Sequence, residues 1–326
     1  MHTVDIKVFC IAQTRLNPEA TREWLDHMGA IQTPVPRVKQ ECSTAQQPEI
    51  TDAGAVCGLC AKRCYMSFEP GLNPNVTRVR KEWYKYLSNI LKSGHGSVTE
   101  HATWTFAIEG VSRVFTGEMN RHRAGVSISE GSMRYIRYDD IGFWMPVSIE
   151  EGNQMLMPTR KCRACGGSGN VPLTRDTLIN DADEVITCPD CMGAKRINLM
   201  TDEEFEETKA LTRGIFNSAF LQMESNYTAL CNIWDINNLA FDVKKKLTSL
   251  FRRIIGMGIA TGGCWTLNTR ALRHVVALRT TEHAEEEMAL VIGMIGKWII
   301  DHEPTLFSDF TLDKATGAWV PKHVKI

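Results

Sequence analysis

Arg121-His122-Arg123-Ala124-Gly125-Val126-Ser127-Ile128-Ser129-Glu130-Gly131-Ser132-Met133-Arg134-Tyr135 gathers three arginines, a histidine, a carboxylate and three serines into fifteen residues. Such polarity needs a reason. An extended backbone over 130–134 would turn Glu130, Ser132 and Arg134 to one side, while Gly131 lets a ligand approach the main chain. A hydroxyl, a bare amide and a guanidinium together suit a phosphate, because the planar guanidinium binds phosphate oxygens through two parallel hydrogen bonds. Hydrogen bonds to charged groups contribute roughly 1.5–3 kcal/mol. A solvated loop with surface ion pairs, worth about 0–1 kcal/mol each, accounts for the same residues, so the stretch by itself leaves both readings open.

Upstream, Ser112 is placed to cap a helix that turns Val114, Phe115 and Met119 inward and ends at Arg121-His122-Arg123. Before it, Trp104, Phe106 and Ile108 alternate with smaller or polar residues, predicting a half-buried strand over Thr103–Glu109. Gly94-His95-Gly96-Ser97 precedes that strand. Trp83, Tyr84, Leu87, Ile90 and Leu91 recur at helical spacing before Gly94. A short strand is expected at Ile6–Ile11, and Pro34, Pro36, Pro48 and the polar Ser43–Gln47 leave the rest of the first fifty residues unassigned.

Downstream, Thr201-Asp202-Glu203-Glu204 is a capping box. It opens a helix whose Leu211, Ile215, Phe216, Ala219, Met223, Tyr227 and Leu230 form one apolar stripe. Further helices are predicted through Val243–Ile254 and Met288–Ile299. The fold class is therefore α+β, a mixed sheet with long C-terminal helices and a small metal-stapled insertion. Its parts are 1–155, the insertion 156–200, and 201–326.

The chain of 326 residues is 43% apolar with a formal net charge of −1. It can bury a sizeable core, and no overall basic field draws it to nucleic acid or anionic lipid. Without a signal-like N-terminus or a run of about eighteen apolar residues, it reads as a cytoplasmic protein that does not enter membranes.

Eleven cysteines in such a chain point to metal ligation and reduced thiols. Cys162-Arg-Ala-Cys165 and Cys188-Pro-Asp-Cys191 form two Cys-x-x-Cys knuckles, a spacing that presents four thiolates to a structural Zn with no open catalytic position. Similar modules occur in chaperones and nucleic-acid binders. Arg160, Lys161, Arg163, Lys195 and Arg196 lend mild support to a zinc-dependent nucleic-acid-binding module, but no aromatic residues are interleaved for stacking. Cys57, Cys60 and Cys64 share a helical face that Cys42 could complete as a second metal site. A stripe of packed thiols is the better account.

Gly94-His95-Gly96-Ser97-Val98-Thr99-Glu100-His101, the following strand, Arg121-His122-Arg123 and Ser132-Met133-Arg134-Tyr135 together resemble the signature of the flavin-dependent thymidylate synthases. Asn268-Thr269-Arg270, His274, Leu278-Arg279 and His283-Ala284 resemble that family's second block. The resemblance covers roughly 50–150 and 202–310. It departs at four points: eight residues instead of seven separate Arg123 from Ser132, Ser129 replaces an asparagine, the Leu-Pro pair usual after the arginine matching Arg252 reads differently, and Glu285 stands for a glutamine.

The resemblance implies FAD contacts at Ser97, Arg121, His122, Arg123, Glu130, Asn268, Arg270, His274 and His283. It implies dUMP contacts at Glu118, Arg121, Glu130, Ser132, Met133, Arg134, Arg252 and Arg279. Taken alone, the helix-borne His274 and His283 suit hydrogen-bonded core histidines, and Arg252 a solvated helix face. Arg279, set among Val275, Val276, Ala277 and Leu278, needs a fixed partner and is the expected catalytic residue. The implied reaction is conversion of dUMP to dTMP with methylenetetrahydrofolate and NADPH, in a homotetramer with shared active sites. A flavin-dependent pyrimidine nucleotide hydroxymethylase is the alternative.

Overall fold

The structure, a computed structural model, describes residues 2–36, 38, 50–137, 140, 142–150, 159–172 and 185–324. Cys42, Ser43–Gln47 and Pro48 lie outside the described residues. The chain divides into two compact units, one of residues 1–144 with 226–326 and one of residues 145–225.

Four antiparallel strands form the sheet of the first unit, in the order β2-β3-β10-β4: β2 is Lys7–Gln13, β3 Thr103–Ser112, β4 Val126–Glu130 and β10 Ala260–Asn268. Trp104, Phe106 and Ile108 of β3 are buried on one face beside Trp265 and Leu267 of β10. On the other face the hydroxyls of Thr105 and Thr266 meet at 2.9 Å. β3 continues past the predicted Glu109 because Val111 is also buried. Gly110 lies at φ +74°, where a Cβ would fall 2.1 Å from the Asp5 carbonyl oxygen, so the strand crosses that contact only with glycine.

The central sheet is antiparallel throughout. Among the described residues, parallel pairing is confined to β1 (His2–Thr3) with β5 (Gly142–Phe143) and to the isolated bridge Val38–Ile50.

Helices cover the apolar face. α8 (Thr269–Arg279) contributes Leu272, Val275 and Val276, and α9 (Glu286–His302) contributes Met288, Val291, Ile292, Ile295 and Ile299 to one core with the sheet. Burying each such side chain favours the folded state by about 1.5–3 kcal/mol. α2 (Asp52–Tyr65) and α3 (Trp83–Lys92) add Ala53, Ala55, Cys57, Leu87 and Ile90 to it. α1 (Pro18–His27) packs Leu25 on Leu59 and Phe68 in a smaller cluster. Cys57 is buried, Cys60 half-buried and Cys64 exposed. Among the described residues no metal-like grouping includes these thiols, and desolvation holds the Cys57 thiol near a pKa of about 12, as for a packed neutral side chain.

The second unit holds α5 (Val147–Glu150), the pairs β6 (Thr159–Lys161) with β9 (Arg196–Asn198) and β7 (Asn170–Pro172) with β8 (Val185–Thr187), and the first part of α6 (Asp202–Ile233). α6 starts on the expected box: Thr201 Oγ1 accepts from Glu204 N at 3.2 Å, and Glu204 Oε2 accepts from Thr201 N at 2.7 Å. Its apolar stripe is not uniformly inward. Met223 and Tyr227 are buried, but Leu211, Ile215, Phe216 and Ala219 are exposed on the single chain.

Candidate functional site

Two of the expected stretches meet where α4 ends. α4 (Arg113–Met119) starts at Ser112, whose hydroxyl caps Val114 N at 3.0 Å and Phe115 N at 3.4 Å. That cap is itself gripped by Glu287 from the first turn of α9, which accepts from Ser112 N at 2.5 Å and from the Ser112 hydroxyl. Desolvation pushes the fully buried Glu287 carboxyl up to about 7, with the Ser112 hydrogen bonds opposing the shift. The helix is thus fixed at its start, and a turn after it (Arg121 N to Glu118 O, His122 N to Met119 O) delivers Arg121 and His122.

Around that turn Arg279 finds its fixed partners. Its Nε donates to His122 Nε2 at 2.9 Å, and its NH1 lies 3.1 Å from Glu118 Oε2. Glu118 Oε1 also reaches Arg121 NH1 at 3.5 Å. His122, accepting at Nε2, carries its proton on Nδ1. Burial first, and then the Arg279 charge, hold its pKa below the usual imidazole range. The His122 ring meets that of His274, on α8, edge-on at 6.1 Å between centroids. Glu118, Arg121, His122, His274 and Arg279 therefore form one connected group. Arg123 is exposed beyond it.

Glu130 occupies a second group. Its carboxylate pairs with Arg113 and accepts from Asn120 Nδ2 at 2.8 Å. Arg113 also donates to Gly131 O at 2.6 Å, and Asn120 Oδ1 accepts from Trp265 Nε1 at 3.1 Å. Arg113 and Asn120 escaped the sequence reading. Their only signal was a guanidinium just after a cap and an amide just before Arg121.

The extended path assumed for 130–134 stops at Glu130. Tyr135 N and Ile136 N both return to Ser132 O, at 3.2 and 3.1 Å, and Arg134 N donates to Ser132 Oγ at 3.3 Å. Ser132, Met133 and Arg134 therefore sit in a turn. Thr248 of α7 (Phe241–Phe251) donates to Arg134 O at 2.9 Å, adding a contact from a distant helix. Half-buried Arg252 opens the 3-10 turn that follows α7.

Asn268, Arg270 and His274 line an open cleft of about 620 Å³ with Gly125, Ala271 and Leu278. Asn268 caps α8 by accepting from Ala271 N at 2.8 Å, and Arg270 pairs with Glu100 at 2.7 Å. Gly125 has φ +71°, and a Cβ there would fall 2.5 Å from the Asn268 amide, so the cleft keeps its width only with glycine. Arg270 also borders a smaller cleft of about 340 Å³ that contains Ser97 and His95. His283 departs from expectation. It lies on the turn after α8, highly exposed beside Glu282, because α8 ends at Arg279 and α9 begins only at Glu286.

In the second unit the Sγ atoms of Cys162, Cys165, Cys188 and Cys191 all lie within 4.8 Å of one another. Gly169 N donates to Cys165 Sγ at 3.3 Å, a contact that favours a thiolate.

The family model for thymidylate synthase complementing proteins matches residues 49–305. A flavin-dependent thymidylate synthase of Mycobacteroides abscessus is 26% identical over 258 residues, covering 79% of this chain and 80% of its own. One of Pyrococcus furiosus is 42% identical over 84 residues, 24% of this chain and 34% of its own. Among solved structures, the UMP/dUMP methylase PolB of Streptomyces cacaoi bound with 5-Br UMP aligns over 97% of both chains at TM-score 0.50 and 15% identity, a likeness of fold. The family match spans most of the chain, from before α2 to past the end of α9, and takes in the strands and helices that carry both groups and the α8 side of the cleft; this chain belongs to the family of flavin-dependent thymidylate synthases.

Proposed function

We infer that this chain converts dUMP to dTMP with a flavin, and the observation that carries the reading is the junction of the Arg279 group with the Asn268–Arg270–His274 cleft through His274. The cleft suits FAD: an amide, a guanidinium and an imidazole at the start of α8 stand over apolar Ala271 and Leu278, and Gly125 leaves the main chain bare. FAD reduced by NADPH supplies the hydride that the pyrimidine needs, and methylenetetrahydrofolate the carbon.

The protein's own part is charge and position. Arg279 is held by Glu118 and His122 before any ligand arrives, so its guanidinium can stabilise negative charge developing on the pyrimidine without reorganising. Because His122 must accept from Arg279, it stays neutral and adds no competing charge. Ser132, Met133, Arg134 and Arg252 position the nucleotide, and Arg121, Arg123, Glu130, Ser97 and His283 complete the contacts in a homotetramer whose sites are shared between chains. The enzyme acts in the cytoplasm, and among the described residues no helix is long and apolar enough to cross a membrane.

The purified protein should be yellow, lose that colour with NADPH, and turn dUMP into a product whose mass is that of dTMP. A colourless protein, or a hydroxymethylated product, overturns the reading.

The segment 156–200 is an insertion in the catalytic domain, organised by one structural zinc on Cys162, Cys165, Cys188 and Cys191. Metal analysis should find one zinc per chain. Chelation should expose the segment to protease while flavin stays bound, because four thiolates contribute most of what orders so little apolar surface. Protein without zinc that resists protease equally well rules this out.

A further inference from the structure

The family match ends at residue 305, yet one side of the 620 Å³ cleft is closed by residues beyond that point, namely Phe310, Pro321, His323 and Val324. These belong to a hairpin of β11 (Phe310–Leu312) and β12 (Trp319–Pro321) and its continuation. It is firmly held. Arg273 of α8, nearly buried, grips Asp309 through both guanidinium nitrogens at 2.7 and 2.8 Å and donates to Leu306 O at 2.5 Å. Asp309 in turn accepts from His323 N at 3.1 Å, and its carbonyl accepts from Lys322 N at 2.9 Å. The Arg273 guanidinium lies 4.7 Å from the Phe310 ring centroid. Trp319 N donates to Thr280 Oγ1 at 2.9 Å, and Trp319 packs so closely on Gly296 that a Cβ there would fall 2.8 Å from its ring. This wall is therefore fixed before any ligand arrives.

The two sides of the cleft differ in chemistry. Asn268 and Arg270, at the positive end of α8, suit a phosphate. Phe310, Pro321 and Val324 offer apolar surface to a flat ring, with the His323 imidazole beside them. The reacting group of Glu118, His122 and Arg279 is not among the residues that line the cleft and adjoins it at His274 and Leu278. The hairpin thus serves the part of the cofactor that does not react.

We propose that the C-terminal hairpin, residues 310–324, walls the adenosine end of a flavin dinucleotide, with Phe310, Pro321 and His323 against the ring and Arg270 toward the phosphates. The assignment rests on the reading of the chain as a flavin enzyme. It makes the hairpin a determinant of FAD over FMN, which lacks the adenylate.

The test is flavin affinity, measured by titrating full-length protein freed of flavin with FAD and, separately, FMN. Val324→Glu sets a carboxylate at a highly exposed position, and His323→Ala removes a half-buried ring, so both variants should keep the parent's unfolding temperature. Each should raise the Kd for FAD about tenfold, His323→Ala by the loss of roughly one stacking contact and Val324→Glu by setting a charged group in place of apolar surface against the ring, and leave that for FMN within twofold. Equal weakening of both flavins, or no change in either, overturns the proposal. A parent protein that binds neither flavin removes the flavin reading itself and the hairpin's role with it.

Discussion

Arg279→Ala should lower kcat for dTMP formation by about 10²–10³-fold, the usual cost of deleting one preorganised donor at a developing charge, and should leave FAD bound. The separation follows from the contacts. Arg279 belongs to the Glu118–His122 group, whereas the cleft that suits the cofactor is lined by Asn268, Arg270 and His274. Little stability should be lost, because Glu118 is partly exposed and keeps Arg121 as a neighbour. Arg279→Lys should rescue poorly, since a single ammonium cannot serve His122 and Glu118 with the geometry of Nε and NH1. Steady-state and single-turnover rates, read beside flavin content, make the check. Full activity in Arg279→Ala, or loss of flavin without loss of fold, defeats the assignment.

The largest effect on stability is expected from Arg273→Ala. Arg273 and Asp309 are both nearly buried, and removing one partner of such a pair costs about 3–5 kcal/mol because the other charge is left uncompensated. For a chain of this size the unfolding temperature should fall by roughly 10 °C. The effect should also depend on pH. Burial alone would raise the Asp309 carboxyl, but the Arg273 hydrogen bonds and charge outweigh it and hold the carboxyl below the usual aspartate range. A depressed folded-state pKa gives stability that is present above the unfolded value and lost as pH falls through the folded one. The gap between parent and variant should therefore be widest near neutrality and narrow below about pH 4, where an unpaired Asp309 is protonated. Thermal unfolding at both pH values decides it: a cost under about 1 kcal/mol, or a gap that does not change with pH, contradicts the buried-pair account.

Features governed by neighbours in the chain were legible in advance. The alternation of Trp104, Phe106 and Ile108 specified a half-buried strand, and Ser112 and the Thr201–Glu204 box specified helix starts, because each depends on a few adjacent side chains. Arg279 was legible for a different reason: a guanidinium among apolar residues requires a partner, although nothing local named His122, 157 positions away. The limits were equally physical. Helical period picks out the face carrying Leu211, Ile215, Phe216 and Ala219 but not what covers it. The turn at Ser132 depends on hydrogen bonds to Ser132 O and on Thr248 from a distant helix. His283 fell outside α8 because that helix ends four residues earlier. The hairpin wall went unread because Phe310, Pro321 and His323 carry no motif, and only Arg273 with Asp309 brings them to the cleft.

The ladder between β4 and β10 has one more implication. From Asn268 N on Gly125 O to Gly131 N on Gly262 O, both 2.9 Å, the two segments pair residue by residue through Val126–Leu267 and Glu130–Gly263 without a bulge. Side chains on a strand change face at every step, so position along this stretch has odd or even parity. Gain or loss of one residue inside it would exchange the two faces and carry the Glu130 carboxylate away from Arg113. An added residue in the motif would leave Glu130 on Arg113 only in the links at its two ends, where the arginine turn joins the sheet or the serine turn leaves it.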